Sequence, residues 1–402
     1  MKILLLGEYS NVHNTLAEGL RELGHEVCVA SNGDFWKNYP RDTDLARHEG
    51  RLGGVQLLAK VCTQLLRWRG YDVVQLINPM FLELKAERIA PVYRYLRRHN
   101  RRVVLGAFGM DWYWVNECVT RKPLRYSDFN IGDELRTDEA AMREHRDWTD
   151  TPKGRLNQLI ASEADAIVSG LYEYHVCYEP HFPAKTHFIP FPIHLPPAPF
   201  CSQASNSGCL DGETAERGAV FCSQVSNPGS RLKVFIGISK GRSEYKGTDI
   251  MLRAAEDVQA QYPDKMELLK AEGLPFAEYQ RLMDGADAML DQLYSYTPAM
   301  NALLAMSKGI VCIGGGEPEN YDILGESELR PIINVEPCYD SVRHELEQLV
   351  THPERLPELK RESVEYVCRH HDYMKVARQY EELYEQLLTP PTHEGFHSCA
   401  DA

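Results

Sequence analysis

The chain has 402 residues, 43% apolar and 25% charged, a soluble globular composition too long for one ordinary core and suited to two domains of about 150–200 residues. Acidic residues outnumber basic ones by 58 to 44, a net charge of −14, which argues against nucleic acid as a partner and means that an anionic ligand must be met by a local cluster of cations. No apolar run approaches the ~20 residues of a membrane span, residues 1–6 are too short for the apolar part of a signal peptide, and the 11 cysteines, scattered without a CxxC pair, read as mostly buried free thiols in a reducing cytoplasm.

In chain order, Lys2 to Leu6 is a continuous apolar strand ending at Gly7, followed by a helix over 12–23 with Val12, Leu16 and Leu20 on one face. Gly24 is placed to cap that helix in the left-handed conformation. Further strands are expected at 27–30, 72–77, 103–108, 164–169 and 188–193, with helical stretches between them. From about Pro196 to Ser230 the apolar periodicity disappears and Ser, Gly, Asn, Gln and Pro dominate. FCSQASNSG and FCSQVSNPG nearly repeat there, but two copies do not make a solenoid, so a linker is the plainer reading. Strands then return at 234–238, 266–270, 288–293, 310–313 and 331–335, with helices at 248–262, 276–284, 298–308 and 340–352. Two long amphipathic helices, about 354–369 and 372–388, close the ordered chain, and a loose tail follows from Pro390.

Strand–helix alternation of this kind means parallel strands joined by right-handed crossovers. The expected fold class is therefore α/β, two facing Rossmann-like domains with a cleft between them at the carboxyl ends of the strands. The division expected is an N-terminal domain over 1–195, a linker over 196–230, a C-terminal domain over 231–370, a C-terminal helix over 371–389 packing back on the N-terminal domain, and a tail over 390–402.

The most informative stretch is GRSEYKG, Gly241 to Gly247, between a buried strand and an amphipathic helix. A glycine-bearing loop with Arg242 and Lys246 that feeds a helix N-terminus offers free N–H groups and two cations to one anion, a phosphate or pyrophosphate. For the heptapeptide alone, a solvated basic loop is the competing reading. A dinucleotide enzyme is disfavoured because Gly7 is followed by Glu8, Tyr9, Ser10 and Asn11, without the further glycines a pyrophosphate turn needs. No GxxxxGK[ST] loop is present. Asp42-Thr-Asp44 has the spacing of a metal-binding DxD, but it is expected in a charged loop far from any strand end, so no metal is assigned.

At this point the residues resemble the type B glycosyltransferases of the group 1 superfamily. RELGHEV at 21–27 is similar to the GHEV that follows the first helix of that family, and SEADAIVSGLYEY at 162–174 is similar to its "ad.vi..S" strand. FIPFPIHL at 188–195 sits where the family has "vipnGvd". KGTDIMLRA at 246–254 resembles "KGxdxLixA", and the run from Ala286 to Gly315 resembles "adv.l.PS..E.fG...lEAMA.G.pVv". The resemblance covers nearly the whole chain, and it is the order and spacing of these motifs that make it specific.

It implies a metal-independent enzyme without cofactor, a hexosyltransferase-like glycosyltransferase whose C-terminal domain binds a nucleotide-sugar donor. The N-terminal domain then binds a saccharide or lipid-linked saccharide acceptor, in surface polysaccharide synthesis in the cytoplasm or at the inner face of the membrane. Arg242 and Lys246 pair with the donor diphosphate in this reading, and Lys240 is the alternative to Arg242 because the usual spacing there is slightly longer. The family's two donor-site glutamates, with seven residues between them, fall on Tyr296 and Leu304, so both carboxylates are missing. Glu317 and Glu319, after three glycines, are the candidates to replace them, with Asn301 as a further polar donor-binding residue; a solvated turn and an ordinary helix start are the plain alternatives.

On the acceptor side, GAFGMDWYW at 106–114 ends a strand in aromatics, with Asp111 where the family often has a functional His. Aromatic faces stack on sugar rings, and a carboxylate there can deprotonate an acceptor hydroxyl. A helix-capping aspartate is the structural alternative. His13 points toward the cleft in such a fold. Arg94, Arg97, Arg98, Arg101 and Arg102 form a basic cluster suited to anionic lipid headgroups at a peripheral membrane contact, or simply to a charged helix C-terminus. The competing functions are a nucleotide-sugar epimerase or hydrolase on the same scaffold, and a non-catalytic sugar-nucleotide-binding partner.

Overall fold

A computed structural model describes residues 1–195, 231–238 and 241–389. The linker expected over 196–230, Lys240 and the tail from Pro390 lie outside the described residues. In the N-terminal half the strands are β1 (Lys2–Leu6), β2 (Glu26–Ser31), β3 (Thr43–Asp44), β4 (Val73–Leu76), β5 (Arg102–Ala107), a hairpin of β6 (Asn130–Ile131) and β7 (Glu134–Leu135), β8 (Ala166–Ser169) and β9 (Thr186–Phe188). All but the hairpin join one parallel sheet in the order β3-β2-β1-β4-β5-β8-β9. The second half supplies β10 (Leu232–Ile238), β11 (Met266–Glu272), β12 (Ala288–Leu290), β13 (Val311–Gly314) and β14 (Ile333–Asn334), parallel in the order β11-β10-β12-β13-β14. Two doubly wound sheets of seven and five strands are thus present, as the alternating pattern requires.

The central strands are continuous apolar runs because helices cover both faces of each sheet. Ile3 to Leu6 and Val103 to Leu105 are fully buried, as are Val234 to Ile236 and Val311 to Ile313. Gly24 has φ 88° just past the first helix, Val12–Glu22, where a left-handed residue closes the last turn. The final helix, Tyr373–Leu388, lies against that first helix. Its Tyr380 and Tyr384 are completely buried, and Tyr384 donates to Gln75 of β4 at 2.8 Å.

Several local expectations are corrected. The strand expected at 188–193 ends at Phe188, because Pro190 and Pro192 have no N–H to donate to a ladder. Ile193 instead forms an isolated parallel bridge with Asp372. Asp42-Thr-Asp44 is not in a loop far from a strand: Thr43 and Asp44 form the edge strand β3. Its carboxylates are engaged, Asp42 with Arg21 at 2.6 Å and Asp44 with Arg41 at 2.7 Å. Of the seven described cysteines, all free thiols, only Cys118, Cys177 and Cys312 are buried; Cys62 and Cys338 are exposed. In the arginine cluster, Arg97 and Arg101 pair with Asp165 at 3.3 Å and Asp72 at 2.9 Å, and Arg102 donates to the Leu387 carbonyl at 2.6 Å. Three of its five cations therefore neutralise and tie down the chain's own groups. Among the described residues, no helix is long and apolar enough to cross a membrane.

Candidate functional site

In each sheet the chain reverses direction beside the first strand: β1 lies between β2 and β4, and β10 between β11 and β12. A crevice opens beyond the carboxyl end of the strands at such a reversal. The loops leaving β1 and β10 face one another across a cavity of about 1060 Å³, in the size range of a site for a nucleotide-sized ligand. Ser10 and Asn11 form one wall and Arg242 and Lys246 the other. Gly7 opens the first of these loops at φ 85°, and a Cβ there would stand 2.2 Å from Ile77 Cγ2. That glycine serves a close approach to β4, which explains its presence without a dinucleotide turn.

The GRSEYKG loop forms a single helical turn, Ser243–Lys246, closed by Gly247 at φ 70°, and Gly247 then leads into the helix Thr248–Gln261. Arg242 is exposed, with its guanidinium 5.4 Å from the Tyr245 ring centroid. Lys246 is half-buried. Burial, and secondarily the charge of Arg242, hold its ammonium below the ordinary lysine pKa, while Asp291 and Asp128 pull the other way. Asp291, just past β12, is pushed up to about 6 by burial, against the pull of Lys246, and its Oδ2 has no hydrogen-bond partner. Arg242 and Lys246 thus bring two cations close together at one wall of the cavity. Asn301 also lines this cavity and donates to Tyr279 Oη at 2.5 Å.

Two acceptor-side candidates are placed differently from the sequence expectation. His13 does not face the cleft; it is completely buried. Its Nδ1 lies 2.9 Å from the Gly7 carbonyl and its Nε2 3.2 Å from Gln75 Nε2. Since an amide nitrogen only donates, Nε2 accepts and the proton sits on Nδ1. Burial pulls the ring down to about 3, so it is neutral, a bridge between β1 and β4. Asp111 is likewise completely buried, as the N-cap of the helix Trp112–Thr120. One oxygen accepts from Trp114 N at 2.9 Å and the other from Tyr178 Oη at 2.8 Å. Burial pushes its carboxyl up to about 7. The helix-capping aspartate, the structural alternative, is what the geometry gives.

Glu317 and Glu319 turn away from the cavity and bridge the two halves of the molecule. Glu317 accepts from Arg125 at 2.7 Å and from Tyr126 Oη at 2.5 Å, and Glu319 closes a short ion pair with the same guanidinium. Tyr296, one of the two residues at the positions of the missing glutamates, is buried under this bridge, and its Oη accepts from Arg125 N at 2.6 Å. Leu304, the other, lines the large cavity.

Sequence reasoning missed a set of residues that join the halves. Glu173 is buried and accepts from Ser295 Oγ, from the backbone N–H groups of Tyr296 and Thr297, and from Thr297 Oγ1, at 2.6–3.0 Å. Asp128 accepts from Tyr245 Oη at 2.6 Å. Arg136 donates to the carbonyls of Glu244 and Tyr245 at 2.8 and 3.1 Å. A smaller cavity of about 150 Å³ adjoins the large one through Ser10, Gln292, Ala299 and Met300. Phe108, Trp114, Tyr174 and Asp128 are among its lining residues, and the buried Trp114 Nε1 has no hydrogen-bond partner. Among the described residues, no group of His, Cys, Asp and Glu is placed to hold a metal ion.

No family model and no curated protein matches the sequence. Solved structures do match along its length. Anabaena HepE in complex with UDP and glucose superposes with a TM-score of 0.55 at 12% identity, over 96% of this chain and 100% of that one. The catalytic domain of starch synthase IV from Arabidopsis thaliana, bound to ADP and acarbose, gives 0.55 at 12% identity over 97% and 100%. The UDP-GlcNAc 2-epimerase of Neisseria meningitidis, bound to UDP-GlcNAc, gives 0.51 at 10% identity over 96% and 100%. The chain has the type B glycosyltransferase fold.

Within that fold, the Arg242–Lys246 loop stands at the carboxyl end of the first strand of the C-terminal sheet and the Ser10–Asn11 loop at that of the N-terminal sheet. The strand expected at 288–293 stops at Leu290, and the freed segment bends toward the loop, Leu293 N donating to the Lys246 carbonyl at 3.0 Å. The helix expected from residue 298 starts at Met300. Residues 291–299 thereby form a shared wall of both cavities.

Proposed function

We propose that the protein is a glycosyltransferase that moves a sugar from a nucleoside-diphosphate sugar to a saccharide or lipid-linked saccharide, in the synthesis of a surface polysaccharide. The observation that carries this reading is the convergence of Arg242 and Lys246 on one wall of the large cavity, with Lys246 held half-buried. Transfer leaves a nucleoside diphosphate, whose growing charge must be met in the transition state by preorganised cations and N–H groups. The apolar floor formed by Ile238, Leu274, Met283 and Leu304 suits the flat face of a base. Fold neighbours solved with UDP or ADP support a nucleoside diphosphate as the anion.

The small aromatic-walled cavity next to it suits a sugar ring, with the unpartnered Trp114 Nε1 as a donor to a hydroxyl. Asp128 lines that cavity, whereas Asp111 does not, so we assign to Asp128 the acceptor-side carboxylate role that the strand-end motif suggested for Asp111. Burial raises its pKa above the ordinary aspartate value, the direction that strengthens a carboxylate as a base.

Incubation with UDP-, GDP-, ADP- and dTDP-sugars tests the reading. Nucleoside diphosphate released only when an acceptor saccharide is present supports transfer. Nucleotide-sugar turnover without any acceptor supports the second reading, an epimerase or hydrolase, which the likeness to the Neisseria 2-epimerase favours. No binding of any of the four donors overturns both.

A further inference from the structure

The anion-binding loop of the C-terminal half is held from the other half of the molecule. The short helix Ser243–Lys246 ends in carbonyls that a single turn leaves without partners. Gly247 N reaches the Glu244 carbonyl at 3.2 Å, and the remaining capacity is taken by Arg136, which follows the β6–β7 hairpin. Its guanidinium donates to Glu244 O and Tyr245 O, pairs with Asp138 at 3.0 Å, and stacks 3.8 Å above the Tyr294 ring. Only 8% of that side chain is exposed. A cation at a helix C-terminus is favourable, and the planar fork can hold two carbonyls at once.

The residue before Lys246 is fixed from the same side. Tyr245 is 3% exposed and donates to Asp128, three residues before β7's partner strand ends. Asp128 also acts electrostatically on both Arg242 and Lys246. The backbone leading into Lys246 is therefore fastened by residues 128–138, while Leu293 N donates to the Lys246 carbonyl. A second bridge between the halves, Arg125 with Glu317 and Glu319, touches none of these groups.

We infer that Arg136, together with the Tyr245–Asp128 hydrogen bond, positions Lys246 for the diphosphate, so that affinity for the phosphates depends on a residue of the opposite half. This inference rests on the diphosphate reading of the large cavity. It makes phosphate binding and the docking of residues 128–138 on the loop two sides of one coupling: whatever strengthens one strengthens the other by the same factor.

The experiment is calorimetric titration of the full chain with UDP, GDP and ADP, choosing the diphosphate that binds best, and then with the corresponding nucleoside. The variants are Arg136→Met, Tyr245→Phe and, as a comparison, Arg125→Met, which breaks the separate bridge. The expected result is a loss of about tenfold or more in diphosphate affinity for Arg136→Met and Tyr245→Phe, with nucleoside affinity unchanged. Arg125→Met should keep diphosphate affinity within about threefold, as expected of a pair that touches no ligand-binding group. A variant that merely misfolds loses nucleoside and diphosphate together, and Tyr245→Phe, which removes only one oxygen, keeps the idea testable if Arg136→Met does so. Wild-type diphosphate affinity in both Arg136→Met and Tyr245→Phe overturns the inference and leaves the diphosphate site standing. An equal loss in Arg125→Met overturns it too, since general domain contact would then be the cause. Failure of the wild-type protein to bind any diphosphate overturns the functional reading itself.

Discussion

Replacing Lys246 by methionine separates a ligand-binding cation from a structural one. The side chain lines the large cavity, and burial and Arg242 hold its pKa below the ordinary value, so the folded protein gains nothing from its charge. Methionine keeps most of the apolar stem and removes the ammonium. The unliganded protein should therefore lose little stability; the opposing term is Asp291, which loses its nearest compensating cation and rises further above about 6. Ligand binding should respond quite differently. A charge-assisted hydrogen bond is worth about 1.5–3 kcal/mol, and at about 1.4 kcal/mol per decade that is roughly 10- to 150-fold in Kd. Arg242 remains beside the site to take part of the load, which moves the expectation to the lower end, about tenfold. Titration calorimetry at low and at physiological salt, beside a thermal melt of the unliganded variant, measures both quantities. Unchanged diphosphate affinity in a folded variant would refute the assignment of Lys246, and with it the reason for reading the loop as an anion site.

Other outcomes follow from the buried groups. Asp111 has a folded pKa of about 7 against an ordinary 3.8, so between those values the folded state holds a proton that the unfolded chain has released, and its contribution to stability falls as pH rises through that window. Asp111→Asn should flatten the stability profile between about pH 4 and pH 7 in denaturant titrations; an unchanged slope would show the carboxyl to be ionised when folded. Arg125→Met should cost at most about 1 kcal/mol, because that side chain is 56% exposed and its pairs are screened; a larger drop measured by urea unfolding would make the bridge a main fastening of the two halves. Ending the chain at Asp372 removes the fully buried Val376, Ala377, Tyr380 and Tyr384. Each large side chain contributes about 1.5–3 kcal/mol, a sum comparable to the stability of a whole domain, so the truncated protein should be insoluble, as a fractionated expression test would show.

The fold was legible because its signal is local. Parallel strands covered on both faces are short apolar runs, such as Leu4 to Leu6 and Val234 to Ile236, and the helices between them carry a single apolar face. Asp111 was half legible: an aspartate three residues before Trp114 at the start of a helical stretch is an N-cap signature, and the capping bond is present at 2.9 Å. The orientation of His13 was not legible. It depends on Gln75, 62 residues away, and that glutamine is in turn held by Tyr384 from the far end of the chain. Among the site residues, Arg242 and Lys246 declared themselves by spacing within one loop.

What the sequence could not declare is pairing across the two halves. Arg125, Asp128 and Arg136 stand in a stretch without helical or strand periodicity, and their partners lie 108–194 residues away. Glu317 and Glu319 were legible as carboxylates at a strand end, and their position beyond three glycines made a ligand seem the natural partner. A guanidinium of the protein's own chain satisfies them instead. The same contact accounts for the tyrosine at a position where a carboxylate is expected from the resemblance. A carboxylate at Tyr296 would lie beside Glu317 and Glu319, three acids around one arginine, whereas the Tyr296 ring receives the Arg125 guanidinium 4.9 Å from its centroid and its Oη receives a backbone N–H. The substitution at 296 and the glutamates at 317 and 319 are therefore parts of one interface, in which the aromatic ring supplies the surface on which the cation rests.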